Sequence, residues 1–240
     1  MTDAIRELTA AYLADERGHD DGSAWVMLNM ISSVDGAISI QGLSGGLGNA
    51  ADRAVFKTLR SLADVILVAA GTARAEAYGP PVVDAGAADE RRRPGQAERP
   101  TIAVMTRSLK LDMESELFAS SYRPTVVTVS DSPEGRRAAV AERADMMVAG
   151  TGSVDMVDAV AQLAARFGPI VLAEGGPTLN AQLAAADVLD ELCLTTSPLL
   201  VGGNSGRILA NGPAHEPRRF GIERAVPAGG LLFTRYLRLR

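Results

Sequence analysis

Short runs of apolar residues alternate along this chain with longer segments whose apolar residues recur at helical spacing. The runs at residues 25–31, 65–70 and 170–172 are almost entirely apolar, which is typical of strands buried on both faces of a parallel sheet. Strands that alternate with helices build such a sheet with helices on its faces. The pattern therefore predicts an α/β fold with a mostly parallel central sheet.

The clearest helical segment covers residues 50–62, where Val55, Leu59 and Leu62 fall on one face. Asn49 precedes this segment and is a preferred helix-capping residue. Further helices are predicted at residues 3–14, at 134–142, after Thr72, at 154–167 with Ser153 as its cap, and at 177–186.

Further strands are predicted at residues 37–40, 101–106, 125–130, 146–149 and 191–197. Residues 218–226 and 231–239 flank an Ala-Gly-Gly turn, so they predict a closing antiparallel hairpin. We expect one domain at residues 24–240, preceded by a helical extension and linker at residues 1–23.

Two loops rich in glycine or proline interrupt the pattern. Residues 42–48 contain four glycines, and they form either a flexible connection or a loop that lies over a cofactor. Residues 79–99 combine proline, glycine and charge, and we expect a mobile loop there, near the mouth of a site.

Composition excludes several classes of protein. The net charge of −5 gives little support for binding nucleic acid. Cys193 is the only cysteine and there are two histidines, so neither a disulfide framework nor a metal site is expected. The chain has no apolar run near the ~20 residues that span a bilayer, and its first residues lack a signal-peptide core. We therefore expect a soluble, cytoplasmic protein.

A strand, a glycine turn and a helix start follow one another directly in the second half of the chain. Gly175 and Gly176 come after the apolar strand, and Pro177 suits the first turn of a helix. Such a turn directs free backbone N–H groups at one point, which attracts phosphate. Glu174 and Thr178 flank the turn and add polar groups. The alternative is an ordinary strand-to-helix connection.

Several motifs, in the same order, resemble one family. Ser33-Val34-Asp35-Gly36 resembles a first-strand motif Ser-Leu-Asp-Gly, and residues 65–72 resemble a strand that ends in Gly-Thr. The glycine turn follows, and residues 190–203 resemble a strand with a proline-containing turn. Over residues 24–240 the chain is similar to the reductase domain of bacterial riboflavin biosynthesis, which has a dihydrofolate-reductase-like, three-layer fold. The likeness is greatest to stand-alone reductases.

That resemblance implies NADPH as the cofactor and indicates where it binds. The pyrophosphate is expected on the glycine turn, the nicotinamide half beside the Gly-Thr motif, and the adenosine 2′-phosphate at the end of the strand at residues 101–106. The implied cofactor residues are Gly71, Thr72, Thr106, Arg107, Ser108, Gly175, Gly176, Pro177 and Thr178. The Rossmann fingerprint G-x-G-x-x-G is absent from these stretches.

The same resemblance implies a role for Glu174, which matches a family glutamate that takes part in the reaction. We expect Glu174 to hold or protonate the substrate beside the nicotinamide. The implied substrate positions are Asn29, Ser33, Asp35 and Glu76. Asp35 has a structural alternative, because Asp-Gly is a common turn pair.

The substrate half of the site departs from the family pattern. The riboflavin reductases usually carry lysine where this chain has Asn29, and Asp-Asp-Pro where it has Glu76-Ala77-Tyr78-Gly79. These departures leave the substrate open within the pyrimidines and pterins.

The resemblance predicts a reductase of a C=N-type bond that uses NADPH. Its expected substrate is 5-amino-6-(5-phosphoribosylamino)uracil or 2,5-diamino-6-ribosylamino-pyrimidinone 5′-phosphate. A dihydrofolate-reductase-like activity and a non-catalytic NADP-binding protein are the alternatives. The resemblance also implies a homodimer, in agreement with the long apolar C-terminal hairpin.

Overall fold

The computed structural model describes residues 2–83, Arg91 and residues 96–240. Within them, nine strands form one sheet. They are β1 (Trp25–Ser33), β2 (Val65–Ala69), β3 (Thr101–Met105), β4 (Thr125–Thr128), β5 (Asp145–Val148), β6 (Ile170–Ala173), β7 (Glu191–Ser197), β8 (Phe220–Ala228) and β9 (Leu231–Arg238).

Helices cover both faces of this sheet. In chain order they are α1 (Asp3–Ala14), α2 (Ala50–Leu62), α3 (Ala70–Ala75), α4 (Glu116–Ala119), α5 (Glu134–Arg143), α6 (Met156–Phe167) and α7 (Pro177–Ala185). Apolar side chains of α1, α2, α4 and α5 pack into one core on one face. Those of α6 and α7 pack into a second core on the other face. No helix of the described residues is long and apolar enough to cross a membrane.

The strand order is β5-β4-β3-β2-β6-β1-β7-β9-β8. The seven strands from β5 to β7 run parallel, whereas β9 pairs antiparallel with both β7 and β8. The predicted fold class, a mostly parallel sheet closed by an antiparallel hairpin, is confirmed. Because the parallel strands share one direction, their carboxyl ends meet at one edge, where ligands bind in such sheets.

The predicted strand at residues 37–40 is wrong. Ile40 makes only an isolated bridge to Leu43, so the chain turns back on itself at this point. Gln41 and Gly42, which lie between them, have positive φ angles of 53° and 85°. A turn this tight cannot extend along a neighbouring strand, so residues 37–40 add no strand to the sheet.

Two helix starts also differ from the prediction. The helix expected after Thr72 begins at Ala70, so Gly71 and Thr72 lie inside its first turn. Asp155 rather than Ser153 caps α6, because its carboxylate accepts the N–H groups of residues 157 and 158. Asn49 caps α2 as predicted. The loop expected at residues 79–99 falls largely outside the described residues.

The predicted linker at residues 15–23 is tied to the sheet by a buried arginine. Arg17 donates to both carboxylate oxygens of Glu191 at 2.9 and 3.0 Å, and Arg235 donates to the same carboxylate at 2.9 Å. Burial alone would raise the pKa of the Glu191 carboxyl, but these two guanidinium groups outweigh it and lower the pKa to about 2. The linker and α1 therefore belong to the folded core, and the domain boundary at residue 24 stays a prediction.

We predict that Arg17→Gln lowers the free energy of unfolding by about 2–4 kcal/mol. Removing one partner of a buried ion pair costs about 3–5 kcal/mol, and Arg235 still compensates part of the charge of Glu191. The matched control is Arg6→Gln, which removes an exposed pair with Asp3 and should cost less than about 1 kcal/mol. Urea unfolding measures both, and similar losses for the two variants would contradict the structural role of Arg17.

Candidate functional site

A cavity of about 540 Å³ opens at the carboxyl edge of the sheet, between α2, α3, β1 and the turn after β6. It brings together residues that lie far apart in the sequence. Of the predicted site residues it is lined by Asn29, Gly71, Thr72, Glu76, Glu174, Gly175, Gly176 and Pro177. The glycine turn predicted to hold the cofactor and two of the four predicted substrate positions, Asn29 and Glu76, therefore share one space.

Both residues of the glycine turn disfavour a side chain, Gly175 through its backbone conformation and Gly176 through lack of space. Gly175 has a φ angle of 89°, in the region that favours glycine, and the Gly175–Gly176 peptide bond is cis. A Cβ atom at Gly176 would lie 2.7 Å from the hydroxyl oxygen of Thr72. Bare backbone, the Thr72 hydroxyl and the first turn of α7 thus form a cradle that suits a phosphate group.

Glu174 is buried at the end of β6, and its carboxylate is already held by three donors. Arg60 of α2 donates to both of its oxygens at 2.7 Å, and the Tyr78 hydroxyl donates to Oε2 at 2.6 Å. Burial and the adjacent Glu174 charge raise the pKa of Tyr78 well above its usual value, so Tyr78 stays protonated and acts as a donor. The Arg60 guanidinium also lies 4.2 Å from the centre of the Phe56 ring.

Two further carboxylates line the cavity. Glu76 accepts the backbone N–H of Ser44 at 2.8 Å. Asp52 is half-buried in the first turn of α2, where burial raises the pKa of its carboxyl although a hydrogen bond from Thr195 opposes this. The charge of the neighbouring Arg53 also lowers this pKa, although among the described residues Asp52 makes no salt bridge.

The sequence patterns did not indicate Asp52, Phe56, Arg60 or Tyr78, which carry the charged and aromatic groups added to the predicted cavity residues. The first three are four residues apart along α2, so they form a stripe on one side of that helix. The apolar spacing of α2 predicts a single buried face. The stripe of Asp52, Phe56 and Arg60 lies next to that face, and it was the signal in the sequence that could have indicated a second functional face of the helix.

Ser33 and Asp35 brace a turn instead of lining this cavity. The Ser33 hydroxyl donates to Asp35, and the N–H group of Gly202 donates to the Asp35 carboxylate at 2.7 Å. The hydrogen bond from Ser33 and those from the backbone of Gly202 and Val201 lower the pKa of Asp35 to about 2. This geometry favours the structural alternative for Asp35, and a substrate role for either residue stays a prediction.

The predicted 2′-phosphate residues lie at the same sheet edge but outside the cavity. They follow β3, which is separated from β6 by β2 alone. Thr106 is buried and accepts the N–H group of Leu109 at 3.1 Å, whereas Arg107 and Ser108 are exposed. Thr178 is exposed in the first turn of α7. The binding roles of these four residues stay predictions.

Within the described residues, no group of three or more His, Cys, Asp or Glu side chains could hold a metal ion. Among the described residues, the donors that line the cavity are hydroxyl groups, backbone amides and one guanidinium, and its carboxylates are acceptors. This set suits an organic ligand with phosphate groups and ring N–H groups.

The sheet order, the carboxyl-edge cavity and the glycine turn define a dihydrofolate-reductase-like α/β protein. A solved dihydrofolate reductase from Enterococcus faecalis, complexed with NADP(H), has the same fold with a TM-score of 0.50 and 12% identity, over 90% of this chain and 97% of that one. More narrowly, the chain belongs to the RibD C-terminal domain family, which matches residues 24–222. The family and fold inferred from the sequence motifs are confirmed.

Two other proteins are closer to this chain in sequence than the dihydrofolate reductase is. The chain is 27% identical to a 2,5-diamino-6-ribosylamino-4(3H)-pyrimidinone 5′-phosphate reductase from Methanothermobacter thermautotrophicus, over 88% of this chain and 97% of the relative. It is also 27% identical to the solved structure of a pyrimidine reductase-like protein from Corynebacterium diphtheriae. That structure superposes with a TM-score of 0.81 over 92% of this chain and 94% of its own.

Proposed function

We propose that this chain is an NADPH-dependent reductase of a pyrimidine, with 2,5-diamino-6-ribosylamino-pyrimidinone 5′-phosphate or its deaminated uracil form as substrate. The observation that carries the proposal is one cavity that joins the glycine turn to the buried Glu174. The similarity to the archaeal pyrimidinone phosphate reductase extends over nearly the whole chain and supports the same reaction class. In that reaction a hydride adds to the carbon of a C=N bond and a proton adds to its nitrogen.

The cofactor supplies the hydride, and the chain supplies its position. The backbone of Gly175, Gly176 and Pro177, with the Thr72 hydroxyl and the exposed Thr178, fits the pyrophosphate. Gly71 then lies toward the nicotinamide half, while Thr106, Arg107 and Ser108 take the adenosine 2′-phosphate. The cradle that a Cβ atom at Gly176 would fill supports this assignment.

On the substrate side, Glu174 is ion-paired with Arg60 at the wall of the cavity. Because Arg60 and Tyr78 occupy both of its oxygens, we propose that Glu174 positions the substrate through this network. Asn29 and Glu76 line the cavity and contact the substrate directly. Ser33 and Asp35 act by holding the turn after β1.

One observation favours dihydrofolate reduction as a second candidate. Arg60 is the only cationic side chain among the described residues that line the cavity, and Glu174 occupies its guanidinium. A phosphorylated substrate needs donors for its phosphate, whereas the pterin ring of dihydrofolate needs acceptors for its N–H groups. A non-catalytic NADP-binding protein is the remaining alternative.

The direct experiment follows NADPH absorbance with the purified chain and three compounds in turn: the diaminopyrimidinone phosphate, its uracil form and dihydrofolate. We expect steady oxidation with one of the two pyrimidines. Oxidation with dihydrofolate alone would establish the second candidate. Tight NADPH binding without turnover of any compound would contradict a reductase and favour the non-catalytic alternative.

We predict that Arg107→Ala weakens NADPH binding about tenfold and leaves NADH binding nearly unchanged. The guanidinium can hold the 2′-phosphate, which NADH lacks, and a hydrogen bond to a charged group contributes about 1.5–3 kcal/mol. Because Arg107 is exposed, we expect the lower end of this range, which corresponds to about a tenfold change in affinity. Fluorescence titration measures both affinities, with Lys110→Ala as the matched control. An equal loss for both cofactors, or a loss in the Lys110 variant only, would place the 2′-phosphate elsewhere.

We also propose that the chain is a cytoplasmic homodimer. Ile222 on β8 and Leu239 just beyond β9 are apolar and exposed, at the edge of the sheet where a second chain could cover them. Light scattering that gives the 25.1 kDa mass of one chain at micromolar concentration would contradict the dimer.

A further inference from the structure

One buried polar residue in helix α7 has no part in the chemistry described so far. Asn180 lies at the end of the first turn of α7, three residues after Pro177, and it is fully buried. Its buried neighbours on this helix are apolar, among them Leu179, Leu183 and Ala184 of the second core. Because burying an amide is costly unless it is hydrogen-bonded, an asparagine at this position requires a compensating interaction.

The amide group of Asn180 acts as a donor toward two other elements. Its Nδ2 atom donates to the backbone carbonyl oxygen of Ile208 at 2.7 Å, in the segment between β7 and β8. The same atom lies 3.3 Å from the sulfur of Met30 in β1, which is a weak acceptor. The Oδ1 atom of Asn180 is buried and accepts no hydrogen bond within the described residues. The donor side of the amide therefore joins α7 to β1 and to the segment after β7.

These contacts reach the cavity through the glycine turn. Met30 lines the cavity, and a Cβ atom at Gly175 would lie 3.5 Å from the Met30 sulfur and 3.9 Å from Nδ2 of Asn180. Asn180 itself is not among the described residues that line the cavity. Its side chain therefore supports the turn from outside the cavity, and its effect on a ligand passes through Gly175 and Met30.

A backbone hydrogen bond joins the same segment to α7 at a second point. The N–H group of Ala210 donates to the carbonyl oxygen of Pro177 at 3.1 Å. Residues 208–210 belong to neither a helix nor a strand, so their position depends on contacts of this kind. The two hydrogen bonds, from Asn180 to Ile208 and from Ala210 to Pro177, are called the α7 clasp below.

The direction of the first turn of α7 decides what the cradle can bind. The unpaired backbone N–H groups at the start of a helix attract an anion where they point at it together. A site that is oriented before its ligand arrives binds more tightly, because less conformational freedom is lost on binding. The α7 clasp holds the turn that carries these N–H groups, next to Gly176 and the Thr72 hydroxyl of the cradle.

We infer that Asn180 is a positioning residue for the phosphate cradle. It holds Gly175 and the first turn of α7 in the orientation that receives the pyrophosphate of the cofactor, and it contacts no ligand itself. This inference rests on the proposed function, because it names the residue that supports the cofactor half of the proposed site. The cofactor positions that the sequence motifs imply do not include Asn180.

The test compares Asn180→Leu, which replaces the amide by an apolar side chain of similar size, with Gln182→Leu on the same helix. Gln182 is the matched control, because its buried Oε1 atom also accepts no hydrogen bond within the described residues. Fluorescence titration of the full chain with NADPH measures the affinity. We expect Asn180→Leu to weaken NADPH binding about fivefold, since the net contribution of one hydrogen bond corresponds to that factor. Gln182→Leu should keep the affinity of the unchanged chain.

A second variant keeps the test valid if the leucine variant does not fold. Asn180→Ala removes the same donor with a smaller side chain, and it should weaken NADPH binding by a similar factor.

Amide hydrogen exchange without cofactor measures the α7 clasp itself. In the Asn180 variants the amide of Ala210 should exchange at least about fivefold faster, because its acceptor at Pro177 is held less firmly. The amide of Ala186 donates to the carbonyl oxygen of Gln182 at the other end of α7, and its exchange should not change.

Three results would overturn the inference: an unchanged NADPH affinity in the Asn180 variants, an equal loss in Gln182→Leu, or faster exchange at both amides. The last result would mean that Asn180 stabilises the whole helix and not its first turn. The proposed function fails separately. NADPH that binds without reduction of any pyrimidine contradicts the reductase and leaves these comparisons intact.

Discussion

The buried ion pair between Arg60 and Glu174 determines how the cavity is built. A carboxylate as deeply buried as Glu174 is costly unless it is paired and hydrogen-bonded, and the Arg60 guanidinium with the Tyr78 hydroxyl meets this need. Glu174 follows β6, Arg60 lies in α2 and Tyr78 follows α3. The pair therefore connects three elements across the carboxyl edge of the sheet, and it sets the register in which α2 faces the site.

This constraint divides the cavity into two ends of different chemistry. At the glycine turn, bare backbone and the Thr72 hydroxyl offer donors to an anion. At the other end, the Arg60 guanidinium of α2 is already paired with Glu174, so the acceptors Asp52 of α2 and Glu76 at the end of α3 dominate. A reductase needs such an arrangement, because its cofactor carries phosphates while the ring of its substrate carries N–H groups. We propose that hydride transfer takes place between the two ends, beside Glu174.

The sequence predicted those parts of the structure that depend on local patterns. Fully apolar runs identified β2 and β6, and helical spacing with Asn49 as a cap identified α2. Parallel strands end at one edge of the sheet, so the glycine turn and the Gly-Thr motif, which each follow such a strand, were expected to lie close together, and both line the cavity. Local patterns failed at residues 37–40 and at Ser153. They also could not predict the ion pair of the site, because the partner of Glu174 lies 114 residues away and nothing near Arg60 indicates it. The stripe of cavity residues on α2 was missed because the neighbouring apolar face already explained the helix.

The central claim is that Arg60 and Glu174 act as one unit, and a double-mutant cycle tests it directly. Urea unfolding of Arg60→Met, Glu174→Gln and the double variant gives their coupling free energy. Each single change leaves the other partner buried without its ion pair, so the double variant should lose less stability than the sum of the singles, by at least about 2 kcal/mol. Additivity to within about 0.5 kcal/mol would contradict the account.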